Sequence, residues 1–252
     1  MPTVAYVHSP HSSSSLRRLP DWPPAVASIL ALFEAARRVR AELRARPSYQ
    51  PLRGKNLALL MACPPGPESA LLQAAAIQLG AQVALVRYSH HADARARDIE
   101  ALAGALGRMY DAIDCESLPM LVPQRIARCA GVPVSEGLGG EQHRVCALAD
   151  LMTLYEHPLP AQAPLSVCLL GDADSPRARI FLTAARDIDF DVLGTDSGRE
   201  ACEDATFVVD ATQPERWPLQ ARGVELDDAR RADNHLRLVQ ASLLAEMGEL
   251  HG

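Results

Sequence analysis

The sequence predicts an α/β protein of two lobes, each a parallel sheet flanked by helices, with the second lobe shortened. Three observations carry this reading. Strand-like and helix-like runs alternate from residue 56 onward. A proline-rich stretch, PLPAQAPL (158–165), interrupts the alternation after a long apolar helix and reads as a hinge. Beyond it, about three strand signals precede a long closing helix. The expected units are a first lobe over residues 1–157 and a second over 158–226.

In chain order, the first dozen residues end in HSSSS and read as a loose arm. Residues 19–45 are helical after their proline pair, with Val26, Ile29, Leu30, Leu32 and Phe33 on one face. RPSYQPLRGK is a turn-rich connector. NLALLMAC (56–63) is a strand and residues 70–80 a helix; QVALVRYS (82–89) is a strand and residues 98–110 a helix. Residues 111–117 hold a short strand, 123–131 a helix, and 132–137 a strand or loop. RVCALADLMTLYEH (144–157) is the long apolar helix before the hinge. The second unit reads as a strand at 166–173, a helix at 178–188, strands at 189–195 and 205–212, and the closing helix at 227–248.

Composition narrows the function. A hydrophobic fraction of 48% over 252 residues supports a globular core. The net charge of −6 disfavours nucleic acid as a partner, and the short basic run from Arg37 to Arg46 reads as a solvated helix face. No apolar run reaches the roughly 18–20 residues of a membrane span, so no membrane partner is expected. The N-terminus lacks the charged-then-apolar order of a signal peptide, and a cytoplasmic location is expected. Six cysteines are scattered without a CxxC pair, so neither a structural disulfide nor a zinc cluster is expected.

Local motifs are weak. GDADSP (171–176) follows a strand but is not GxGxxG. The histidines show no HxxxH pattern, and His90-His91 reads as an exposed loop pair. Cys146 has no base identified by sequence. The most informative stretch is PPGPES (64–69), between a strand and a helix. That junction is a natural anion site, because loop amides and the helix dipole favour a phosphate there. Yet Pro65 and Pro67 carry no N–H, and Glu68 adds a negative charge to the first turn.

Taken in order, several segments resemble the aspartate/ornithine carbamoyltransferase family, nearest its ornithine branch. LRGKNLALL (52–60) is similar to the stretch before that family's phosphate loop, and ALGRMYDAID (105–114) to its Leu-Gly-Arg-Met-Tyr-Asp-Gly-Ile segment. AGVPVSEGLGGEQH (130–143) resembles the approach to its His-Pro-Thr-Gln motif, and ALADLMTLYEH (147–157) the interdomain helix that follows. GDADSP resembles its Gly-Asp-Ala-x-Asn-Asn turn, and ADNHLRLVQASLLAEMG (232–248) its C-terminal helix. The resemblance implies a carbamoyl-phosphate lobe rejoined by the chain's end at 227–252, an amino-acid lobe, and a homotrimer with active sites at subunit contacts. It also implies transfer of a carbamoyl group to an amino acid without metal or organic cofactor, by positioning and positive charge.

The departures fall on that chemistry. The family's Ser-Thr-Arg-Thr-Arg loop corresponds to Pro65, Gly66, Pro67, Glu68 and Ser69. The His-Pro-Thr-Gln motif becomes His143, Arg144, Val145 and Cys146, and the C-terminal arginine falls at His235. Ser175 and Pro176 stand for the Asn pair. The His-Cys-Leu-Pro loop is missing, so residues 208–231 run almost straight into the last helix. The loop after the second strand is short and lacks the family's lysine. Through the resemblance, Arg108 would hold a phosphate or carbonyl oxygen and His143 would polarise the carbonyl. Each also fits a plain role, an arginine paired with a carboxylate and a buried hydrogen-bonded histidine. Glu68, Cys146 and His235 complete the candidate set. Loss of two arginines and several polar donors removes at least ~4 kcal/mol of anion binding, about a thousandfold. The expected function is therefore that of a pseudoenzyme that binds a protein or a small amino-acid-like metabolite. The alternatives are an enzyme of altered substrate built around Arg108 and His143, and residual carbamoyl transfer.

Overall fold

The computed structural model describes residues 29–88, 96–119, 121–140, 143–160, 162–193, 202–213 and 216–249. The N-terminal arm, the start of the first helix and the His90-His91 pair lie outside the described residues.

Two sheets carry the fold. The first has β1 (Asn56–Met61), β2 (Gln82–Arg87), β3 (Ala112–Glu116) and β4 (Val134–Ser135), all parallel, in the order β2-β1-β3-β4. Parallel strands need crossovers, and α2 (Pro67–Gln78), α3 (Ala96–Met109) and α4 (Leu121–Cys129) supply them. The second sheet has β5 (Ser166–Gly171), β6 (Asp191–Leu193), β7 (Phe207–Ala211), β8 (Leu219–Ala221) and β9 (Val224–Glu225), in the order β6-β5-β7-β8-β9. Its first three strands are parallel, and α6 (Pro176–Asp187) connects β5 to β6.

Side-chain alternation assigns the layers. Leu57, Leu59 and Met61 face one side of the first sheet, and Ala58 and Leu60 the other. The first side belongs to a core that runs without a break through both sheets. It is built from α1 (Ile29–Ala45), α2, α5 (Arg144–Tyr155), α6 and α7 (Asp228–Glu246). The second side packs under α3 and α4. Helix α5 lies in the middle of this core, with every residue from Arg144 to Leu154 buried. It packs against both α6 and α7, so the expected interdomain helix lies between a helix that flanks the second sheet and the closing helix.

Two expectations are corrected. Residues 208–231 do not run straight into the last helix: β8 and β9 form an antiparallel hairpin that widens the second sheet. Its two-residue turn is Arg222-Gly223, both at positive φ (49° and 77°), as a hairpin matched to strand twist requires. The cysteines are not all free: Cys168 on β5 and Cys202 just before β7 form a disulfide, with Cα atoms 5.4 Å apart. Thirty-four residues separate them in sequence, so no local spacing signals the pair.

Candidate functional site

The carboxyl end of a parallel sheet is where open α/β folds bind ligands. In the first sheet that edge is formed by the loop from β1 to α2, the end of β3, the 135–140 loop and the start of α5. Pro67 opens α2 at a position where the missing N–H costs nothing, and Gly66 precedes it in an extended conformation. The first turn satisfies itself. The Gly66 N–H donates to Ser69 Oγ at 3.2 Å, and the Ser69 hydroxyl donates to Glu116 Oε1 at 2.8 Å. Ser69 is fully enclosed and Glu116 is 9% exposed.

Glu68 closes the edge from the other side. A Cβ at Gly139 would stand 2.4 Å from the Glu68 carbonyl oxygen, and one at Gly140 would stand 3.1 Å from Glu68 Oε2. The backbone of the 137–140 loop therefore lies directly on the first turn of α2, as closely as glycine allows. Asp114 holds that loop in place. Its Oδ1 accepts from the Ser135 hydroxyl at 2.7 Å and from the Leu138 N–H at 2.9 Å. Complete burial pushes the Asp114 carboxyl up to about 6 against these hydrogen bonds, and its Oδ2 has no protein partner.

The sequence-derived candidates separate into two groups. His143 caps α5, its Nδ1 accepting from the Val145 N–H at 3.2 Å. A neutral imidazole that accepts at Nδ1 carries its proton on Nε2. Burial, then Arg144 and His235, hold it down to about 3. His235 on α7 is close enough to contribute to that shift. Its own imidazole is held down to about 4 by burial, Arg177 and Arg231, and its buried Nε2 lacks a hydrogen-bond partner. Cys146 lies buried in the first turn of α5, its N–H donating to the His143 carbonyl at 3.0 Å. His143, Cys146 and His235 thus sit together, and Glu68 meets the same loop that leads into His143, whose N–H donates to the Gly140 carbonyl at 3.0 Å.

Arg108 is not among them. It stands in the last turn of α3, which leads through Tyr110 into the start of β3. There the Asp111 N–H donates to the Asn56 carbonyl at the beginning of β1. This is the amino edge of the sheet, one strand length of roughly 15 Å from Glu116 and Ser69. The structure therefore does not bring Arg108 to His143.

Sequence reasoning passed over Asp114, Glu116 and a buried ion cluster beside His235. The signal for the first two was present: residues two apart on a strand share a face. The cluster centres on Asp150 of α5. Its Oδ2 is 2.7 Å from Arg177 Nη2 on α6, and its Oδ1 is 2.6 Å from Arg231 Nε on α7. Arg231 Nη1 donates to the Trp217 carbonyl at 2.9 Å, and the Arg177 guanidinium lies 4.3 Å over the Trp217 ring. Among the described residues no group of three or more His, Cys, Asp or Glu is arranged to hold a metal ion. On the α2 side the edge thus presents two carboxylates, Glu68 and Glu116, where an anion would need positive charge, while Arg144, Arg177 and Arg231 lie around the two imidazoles.

A family model of the aspartate/ornithine carbamoyltransferase carbamoyl-P binding domain matches residues 22–156, more than half of the chain. Among solved structures, the chain is similar to an ornithine carbamoyltransferase from Burkholderia thailandensis. That match has 21% identity and a TM-score of 0.66, covering 89% of this chain and 97% of that one. An ornithine carbamoyltransferase from Pyrococcus furiosus matches at 19% identity and a TM-score of 0.63, covering 88% and 94%. An aspartate transcarbamoylase from Trypanosoma cruzi matches at 14% identity and a TM-score of 0.58, covering 86% and 91%. At these identities the solved structures speak for the fold.

Proposed function

The chain belongs to the aspartate/ornithine carbamoyltransferase family, and we propose that it keeps the family's fold without its chemistry, as a pseudoenzyme that binds a protein or a small amino-acid-like metabolite. One observation carries the proposal. The first turn of α2 is closed by its own side chains and by a loop, through the Ser69–Glu116 hydrogen bond and the 137–140 backbone on Glu68. A phosphate approaching that turn would meet two carboxylates and a loop already in contact. In this reading the first lobe spans 1–157 with 227–252, the second spans 158–226, and the protein works in the cytoplasm.

The test is direct. With ornithine and carbamoyl phosphate at high protein concentration, no citrulline should form. Millimolar phosphate or carbamoyl phosphate should leave the melting temperature unchanged. A ligand at a hundredfold excess over its Kd would add about 2.7 kcal/mol and raise the melting point by several degrees. Turnover in the usual enzymatic range of ~1–1,000 per second would overturn the proposal. A phosphate-dependent shift without turnover would favour the second reading, an enzyme of altered substrate. That reading draws on His143, whose neutral Nε2–H is able to donate to a carbonyl oxygen.

We also propose a homotrimer assembled through the first lobe. Ile77 on α2 and Leu85 on the edge strand β2 are large apolar side chains left exposed there. Leu85 pairs in register with Leu59, whose side chain faces the α2 side. Light scattering behind a sizing column should give three times the 27.2 kDa chain mass. A clean monomer at micromolar concentration refutes the trimer and leaves the pseudoenzyme reading standing.

A further inference from the structure

Among the described residues, the two faces of the second sheet are unequally covered. Val167, Leu169, Phe207, Val209 and Leu219 belong to the main core with α6. The opposite face carries Cys168, Leu170, Leu193 and Val208, and its apolar cluster is completed by Cys202 and Ala205. No helix residue takes part in that cluster among the described residues. The turn from Cys202 to Ala205, closed by the Ala205 N–H to the Cys202 carbonyl at 3.1 Å, takes the place of a covering layer. The disulfide fastens it to the central strand of the sheet. A small apolar cluster of this kind holds a turn weakly without a covalent link.

Beside the bond lies a hollow of about 190 Å3, lined by Cys202, Leu170, Val208, Gln220, Asp210 and Arg222 among others. Cys202 lines it and Cys168 does not, so the hollow opens on the Cys202 side of the bond. We propose that Cys168–Cys202 is a reversible dithiol switch, opened by a dithiol reductant through this hollow, that sets whether the 202–205 turn stays fastened to the sheet. The reductant's thiolate attacks Cys202 Sγ, forming a mixed disulfide and expelling the Cys168 thiolate, which takes up a proton. The reductant's second thiol then attacks its own sulfur in the mixed disulfide and releases Cys202 as a thiol. Two electrons and two protons pass to the protein, and the reductant leaves as a disulfide. In the oxidised protein the two Cα atoms stand at ordinary bridging distance, 5.4 Å, so the bond re-forms without rearrangement of β5 once the turn returns to the sheet. The bond closes a loop that contains all of α6 and β6, so its state is felt through the second sheet.

Thiol counting on the whole protein tests this. Oxidised protein, denatured and alkylated, should label at the four free cysteines, Cys63, Cys115, Cys129 and Cys146. After native incubation with dithiothreitol it should also label at Cys168 and Cys202, and oxidised dithiothreitol should restore the first pattern. Reduction should lower the melting temperature by roughly 5–15 °C and expose a protease site near residue 202. Cys202→Ser should match the reduced protein and ignore reductant. Gln220→Trp, which fills the hollow, should slow reduction at least tenfold. Labelling at all six cysteines after oxidation overturns the proposal, and so does a bond that survives excess native dithiothreitol. Unchanged melting and proteolysis on full reduction also overturn it, and an unchanged rate in Gln220→Trp refutes the route through the hollow.

Discussion

Asp150→Asn is expected to lower the melting temperature by about 10 °C or more. Asp150 has no solvent exposure and Arg177 only 3%. The carboxylate holds one guanidinium from α6 and one from α7 while standing on α5 itself. Its neutralisation takes a carboxylate from two guanidiniums, one of them buried, and breaking a buried pair from one side typically costs about 3–5 kcal/mol. For a chain of this length each kcal/mol is worth about 2–4 °C. Three helices that join the two sheets lose their common charge partner, so the effect should be global, shifting the whole urea transition. Replacing Asp150 together with both of its arginine partners, Asp150→Leu with Arg177→Met and Arg231→Met, should recover part of the loss, because apolar groups in all three places leave no uncompensated charge. A shift below 2 °C for Asp150→Asn would mean that water reaches the cluster.

The same cluster shows where sequence reasoning runs out. The alternation of strand and helix signals is local, so it was legible: β1, β2, β3, β5 and β7 all fall within the expected runs. Helix starts moved by a few residues, as at Pro67 and Pro176, since proline at the first helical position is compatible with either side of the boundary. The β8–β9 hairpin was missed because its strands have three and two residues, too short to show a period. Position within the sheet was illegible in another way. Arg108 lies in the recognised segment 105–114 and Glu116 just beyond it, eight residues on, yet β3 puts them at opposite edges of the sheet. A matched motif carries no information about which edge a residue reaches. Likewise Asp150 is one of two charged residues in the otherwise apolar α5, and its partners lie 27 and 81 positions away in α6 and α7.

Acidification from pH 7 to pH 4.5 is expected to cost about 3 kcal/mol of stability, the balance of a larger loss at two histidines and a smaller gain at one aspartate. His143 and His235 are held down to about 3 and about 4, against 6.5 for the free side chain. Burial is the main cause for each. Arg144 and His235 add to it at His143, and Arg177 and Arg231 at His235. The unfolded chain therefore binds protons below about pH 6.5 that the folded chain refuses, and stability falls as pH falls through that window. At about 1.36 kcal/mol per pH unit, each histidine loses roughly 2–3 kcal/mol by pH 4.5. Asp114 works in the opposite sense. Its folded value of about 6 lies above the unfolded 3.8, so the fold binds the extra proton between those values. It returns roughly 2 kcal/mol over the same range, which leaves the histidines ahead. His143→Asn keeps an oxygen able to accept the Val145 N–H as a helix cap, and it removes the titration. Combined with His235→Gln it should remove the acid-side fall and leave a flat or slightly rising curve in urea midpoints measured from pH 7 to pH 4.5. Parallel curves for the double variant and the unmodified protein would place the acid sensitivity elsewhere. A flattened curve would establish that both imidazoles are neutral in the folded cleft, where neither supplies the positive charge an anion needs.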